Sequence, residues 1–145
     1  MNTRFISTIA FILGLGVIAA CSVPVSTAES GQPQRMEISY ALRAGQTVRL
    51  ARDTTLKLER INDSRCRKNT VCVWQGYISY SFTLEDANGS KSFVLAENMP
   101  NAQPAAVQNG IAFALESLDP PEPLAADEPA PNYRVSLRVN LPRPT

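Results

Sequence analysis

Histidine is absent from all 145 residues. Its absence removes the Ser-His-Asp and Cys-His nucleophile systems and the usual zinc sites. Helical periodicity is almost wholly missing, and no internal repeat is present. Past the first twenty residues no apolar run approaches the roughly 20 residues that a membrane-spanning helix needs. An excess of one charge is missing too. The 14 basic and 13 acidic side chains give +1, and Arg4 supplies that excess, so the chain beyond residue 20 is neutral. Neutrality argues against nucleic acid as a partner. Only three cysteines occur, Cys21, Cys66 and Cys72, and an odd number in a secreted chain needs an explanation.

What is present begins at the N-terminus. Residues 1–20 carry one charge, Arg4, followed by an apolar stretch from Phe11 to Ala20. A charged start, a short apolar stretch and a small-residue exit are the parts of a secretory signal. The segment Val17-Ile18-Ala19-Ala20-Cys21 resembles the bacterial lipobox. That resemblance implies a diacylglyceryl group on the Cys21 thiol, cleavage before it, and acylation of the new amine, with palmitate a typical chain. The competing reading is an ordinary signal cut after Ala20, with Cys21 incidental. One acyl chain holds a protein only marginally, and the two or three of a lipobox product would anchor it firmly. The implied address is the bacterial cell envelope, lipid-anchored. Ser22, in place of Asp, points to the outer membrane facing the periplasm in a cell with two membranes.

The expected organisation is therefore a signal peptide at 1–20, a lipidated cysteine and flexible tether at 21–35, and one β-domain at 36–145. Residues 22–34 are small and polar, as a tether requires. The remainder is long enough for a real core. Its pattern has period two, the mark of half-buried strands. Ile38, Tyr40 and Leu42 alternate before an Ala44-Gly45 turn. Val48 and Leu50 follow, then Leu56 and Leu58, with Ile61 out of phase, which hints at a bulge or a strand end. The longest predicted strand carries Cys72, Trp74, Gly76, Ile78, Tyr80, Phe82 and Leu84 on one face. Asp86-Ala87-Asn88-Gly89 reads as a hairpin turn before Phe93 and Leu95. Pro100 and Pro104 mark a loop, Ile111, Phe113 and Leu115 alternate, and the proline-rich 119–131 reads as a long extended loop. Tyr133, Val135, Leu137, Val139 and Leu141 form the last strand. About seven strands with one apolar face each predict an antiparallel β-sandwich, with a small barrel as the alternative closure.

With Cys21 assigned to lipid, Cys66 and Cys72 are free to pair in an oxidising compartment. Five residues separate them, so the bridge closes a tight loop worth roughly 2 kcal/mol on a chain-entropy estimate. They sit in Asn62-Asp63-Ser64-Arg65-Cys66-Arg67-Lys68-Asn69-Thr70-Val71-Cys72-Val73-Trp74-Gln75-Gly76. This stretch resembles a family of small, largely uncharacterised bacterial lipoproteins that share an Asp-Ser-Arg-Cys segment followed by Val-x-Cys-Val-Trp-x-Gly. The resemblance extends to the late proline-rich loop and the Tyr133-led final strand, and so covers most of residues 36–141. It implies family membership but no activity. Arg67 stands where a proline is usual and Gln75 where a small residue is usual, departures expected to loosen the loop or change what it contacts.

The residues of the motif have physical roles of their own. Asp63 and Ser64 can cap the turn through side-chain to backbone bonds. Arg65 can pair with Asp63 or with a carbonyl. Cys72 and Trp74, if on one strand face, pack together at the edge of the core. On this reading the motif, with Val71 and Gly76, is a staple closing one end of the sandwich. The functional alternative has the loop displaying Arg65, Arg67 and Lys68 to a partner. A redox role is disfavoured, since the pair lacks the Cys-x-x-Cys spacing of thiol oxidoreductases.

The function expected is that of a membrane-anchored lipoprotein with no evident catalytic site, binding a protein or glycan or serving structurally, without metal or cofactor. One alternative is a protein inhibitor of a secreted hydrolase such as lysozyme. Its inserting loop would be rich in Ser, Gly and Lys, which Asn88-Gly89-Ser90-Lys91-Ser92 echoes faintly. The weakest alternative is a hydrolase built on paired carboxylates, Asp53 with Glu59 or Glu85 with Asp86.

Overall fold

Alternating apolar residues have one physical use, to put one face of a strand against a second layer. The computed structural model describes residues 35–142, and among them every regular element is a strand. The strands are β1 (Met36–Leu42), β2 (Thr47–Ala51), β3 (Thr54–Asp63), β4 (Ile78–Asp86), β5 (Gly89–Ala96), β6 (Ala105–Gln108), β7 (Ile111–Asp119) and β8 (Arg134–Leu141). They form two four-stranded antiparallel sheets, β1-β8-β7-β6 and β2-β3-β4-β5. The closure is a sandwich and not a barrel. Leu56, Leu58, Phe82, Leu84 and Leu95 from one sheet and Phe113, Val135, Leu137 and Val139 from the other are fully buried. Phe93 stacks on Phe82 within its own sheet and meets Phe113 of the facing sheet, centroids 5.1 Å apart.

The structure has eight strands where the pattern predicts about seven. The additional one is β6, in a stretch read as loop. Its sequence Ala-Ala-Val-Gln is too short and too weakly apolar to show a period. The signal that could have found it is Asn109-Gly110. Both residues have positive φ, +50° and +80°, as the favoured two-residue hairpin turn requires. They join β6 to β7, with Gln108 paired to Ile111.

A second difference matters more for the site. The long strand predicted from Cys72 onward begins only at Ile78. Gly76 has φ +69°, a left-handed turn that breaks the ladder. Residues 72–76 are thereby detached from the alternation that correctly describes 78–84.

The bulge hinted at by Ile61 is present. The pairing of β3 with β4 shifts register between Leu58 and Arg60. A bulge adds one residue and so reverses the phase beyond it. Ile61 and Asp63 are thus paired with the buried Tyr80 and Ile78 and lie on the inner face.

The register also defines two poles. Met36 is paired with Leu141, and Asn109 Nδ2 donates to Asp86 Oδ2 at 2.7 Å, so the chain enters the domain beside these two hairpin turns. At the other pole lie the ends of β3 and β7, the start of β8, and the segments 64–77 and 120–133. β1 runs between the poles, and its seven residues span six rises, about 20 Å.

Candidate functional site

At the second pole the phase reversal in β3 turns Asp63 inward. Tyr133, one alternation before Val135 on β8, points inward from the other sheet. Its hydroxyl donates to Asp63 Oδ2 at 2.5 Å. Arg65 closes on the same carboxylate from its own strand end. Its Nε donates to Oδ1 at 2.9 Å, its Nη2 to Oδ2 at 2.8 Å, and its backbone N–H to Oδ1 at 3.0 Å. Arg65 Nη1 then donates to the Pro121 carbonyl at 2.6 Å. Four hydrogen bonds converge on one carboxylate, and the guanidinium engages it with its planar fork. The Asp63 and Arg65 side chains are only 15% and 18% exposed. Beside this clasp is a cleft of about 230 Å³, lined also by Ile61, Arg67, Leu124 and Pro131.

The electrostatics follow from this geometry. Burial pushes the Asp63 carboxyl upward, but the bonds from Arg65 and Tyr133 outweigh it and hold the group below the usual carboxylate range. The Arg65 guanidinium is raised by its bonds to Asp63, against the cost of burial. The Tyr133 phenol is raised by burial and by the Asp63 carboxylate. At neutral pH the group is therefore a carboxylate, a guanidinium and a neutral phenol, each satisfied by the others.

The loop beyond Arg65 is built from the rest of the motif. Ser64 Oγ bridges to the Tyr77 carbonyl at 2.8 Å, and the Ser64 N–H donates to the same oxygen at 2.9 Å. Cys66 N–H donates to the Gln75 carbonyl at 2.8 Å. Cys66 and Cys72 are disulfide-bonded, with Cα atoms 6.0 Å apart. Arg67 Nη1 donates to the carbonyls of Ala125, Ala126 and Glu128 at 2.8–3.2 Å. Lys68 N–H donates to the Leu124 carbonyl at 2.8 Å, and its ammonium lies 3.6 Å from Glu122.

Asp63 and Ser64 thus make the turn contacts the sequence suggests, and Arg65 takes both of its candidate partners. One reading is corrected. Cys72 and Trp74 do not pack together at the core edge. Cys72 is exposed and Trp74 is 58% exposed, touching Tyr77 edge-on at a centroid distance of 5.6 Å. The left-handed turn at Gly76 is the cause, since it carries the segment off the sheet. Of the two effects expected of Arg67, the structure fits the one on contacts, because Arg67 lashes residues 66–68 to the 121–131 segment rather than loosening the loop. Of the three cations offered as partner-facing, Arg65 is turned inward and the other two are engaged with that segment.

The candidate carboxylate pairs fall elsewhere. The Glu59 carboxylate meets Lys57 at 2.8 Å on an exposed face. Asp86 accepts from Asn109 and from the Asn88 N–H in the hairpin turn. None of Asp53, Glu59, Glu85 and Asp86 lines the cleft. Asn88 lies in a tight turn, and Ser90, Lys91 and Ser92 belong to β5 rather than to a projecting loop. Cys21, its tether and the signal segment lie outside the described residues. The group that pattern reasoning passed over is the Tyr133 hydroxyl. Its signal was available, since an inward-facing tyrosine needs a partner for its O–H.

Comparison of the chain with models of protein families, with curated proteins and with solved structures found no match. The site is therefore read from its own chemistry. Its disulfide yields a direct expectation. Cys66→Ser with Cys72→Ser should lower unfolding stability by about 2 kcal/mol. The transition should remain cooperative, because the buried side chains lie in strands outside the loop. Denaturant midpoints with and without reductant measure this, and two freely alkylated thiols in native, oxidised protein would refute the bridge.

Proposed function

We propose that this chain is a lipid-anchored bacterial envelope protein, of the lipoprotein family its motif resembles, whose β-domain acts by binding rather than by catalysis. The observation that carries this reading is the clasp. Of the four ionisable groups that line the cleft, Asp63, Arg65 and Tyr133 saturate one another and join the two sheets, and Arg67 is bonded to three backbone carbonyls. A carboxylate held ionised by a guanidinium fork and a phenol is a poor general acid, and its lone pairs are occupied as a base. Anchoring rests on Cys21 and on the lack of any other candidate membrane segment in the sequence. The expected result is that Cys21→Ala shifts the protein from the membrane fraction to the soluble fraction. Recovery of the variant in membranes after a carbonate wash would overturn the reading.

A second reading is a protein inhibitor of a secreted hydrolase. It is favoured by the brace around residues 66–76, because inhibitors succeed by presenting a rigid loop at low ordering cost. Titrating a lysozyme with the protein and following residual activity separates the two. Stoichiometric loss of activity selects inhibition, and an unchanged rate at excess protein removes lysozyme as the target.

A further inference from the structure

Six large apolar side chains are exposed among the described residues, and three of them, Val71, Val73 and Trp74, fall within four consecutive positions. Val71 and Val73 are each 104% exposed, as open as in an extended peptide. Contiguous exposed apolar groups mark interaction sites far more often than scattered ones. This loop is also held rigid. The disulfide, the Cys66–Gln75 bond, the three Arg67 bonds and the Lys68–Leu124 bond fix it on both sides. Tryptophan is among the residue types most enriched at binding hot spots.

We infer that the 66–76 pole is a docking surface for a partner protein, one whose apolar pocket receives Trp74 flanked by Val71 and Val73. Two features select a protein over a lipid surface. First, the chain enters the domain at Met36, at the opposite pole, about 20 Å away along β1. Under the lipid-anchored reading, on which this proposal rests, the anchor joins the domain at the pole opposite the loop, so anchoring by itself does not hold the loop against the membrane. Second, the patch lacks the basic belt that draws a loop onto an anionic leaflet. Arg67 is bonded to three carbonyls, Lys68 sits near Glu122, and Asp127 and Glu128 are exposed beside them.

The test uses the full chain in the cells that produce it, with a photocrosslinking residue at Val73. The same residue at Val107, also exposed but on β6, serves as the control. The expected result is one protein adduct from Val73, of a chain other than this one, and none from Val107. The crosslinked protein is then purified and titrated against the wild type and Trp74→Ala. Binding should weaken on the order of tenfold or more, with the unfolding midpoint nearly unchanged, since Trp74 lies outside the core. Adducts only to lipid, adducts only to this same chain, equal adducts at both positions, or no adduct would each overturn the inference. So would Trp74→Ala binding like the wild type. Cys21→Ala fractionation is read separately, so loss of anchoring and loss of docking are distinguishable.

Discussion

Asp63→Ala is expected to lower the stability of the domain by about 3 kcal/mol, near the lower limit seen when one partner of a buried ion pair is removed. The magnitude follows from what the carboxylate holds. It accepts from Arg65 Nε, Nη2 and N–H and from the Tyr133 hydroxyl. Removing it leaves a guanidinium only 18% exposed without a counter-charge, and a phenol without an acceptor. It also cuts the one side-chain link described here between the end of β3 and the start of β8. Tyr133→Phe should cost about 1 kcal/mol, because it removes one bond and leaves the ion pair. Asp63→Asn should fall between them.

The same carboxylate predicts a pH dependence. Its folded-state pKa is lowered relative to the ordinary value near 4. The unfolded chain therefore takes up the proton first as pH falls. The stabilisation is present above about pH 4 and is lost as pH drops through the lowered value. The difference in stability between wild type and Asp63→Asn should accordingly narrow below about pH 4. Denaturant unfolding at pH 7 and pH 3 measures it. A difference that is small at pH 7, or that does not narrow, would show that the clasp contributes little.

Gly76→Ala is expected to cost a comparable amount, about 3 kcal/mol. Part of that is conformational, since φ +69° is unfavourable for any residue with a Cβ. The larger part is steric. A Cβ built at Gly76 falls on the Ser64 carbonyl oxygen and 2.7 Å from its carbon. Those are backbone atoms and cannot rotate away. To relieve the overlap, the 64–66 and 75–77 segments must separate, at the expense of the Ser64–Tyr77 and Cys66–Gln75 bonds. Gly45 provides the control. Its φ is +84°, but a Cβ there meets nothing within 4 Å. Gly45→Ala should therefore cost only the conformational part, about 1 kcal/mol. Equal losses at the two positions would refute the steric account.

The fold class was legible because alternation is a local property. Ile78, Tyr80, Phe82 and Leu84 announce an inner face by their spacing alone, and so do Val135, Leu137 and Val139. The pairing of Cys66 with Cys72 was legible from spacing and from an expected oxidising compartment. The extent of β4 was not. Trp74 and Cys72 continue the apolar phase of Ile78 on paper, yet a single left-handed residue at Gly76 uncouples them from the sheet. Apolar character reports burial only while the backbone stays regular.

From the sequence alone come the all-β class, with the choice of sandwich over barrel left to the structure, the expectation of a secretory, lipid-anchored segment at residues 1–21, and the motif from Asp63 to Gly76 as a unit. The tertiary structure decided what that unit does. Asp63 and Tyr133 are 70 residues apart, and no spacing rule relates them. They meet because one extra residue in β3 reverses its phase while β8 keeps its own, so two inward-facing polar groups arrive at the same pole of facing sheets. The same end of β3 turns Arg65 back into the structure and Trp74 out of it. A side chain's neighbours along a strand are set by sequence, but its neighbours across the sandwich are set by register, bulges and packing, and those exist only once both sheets have formed.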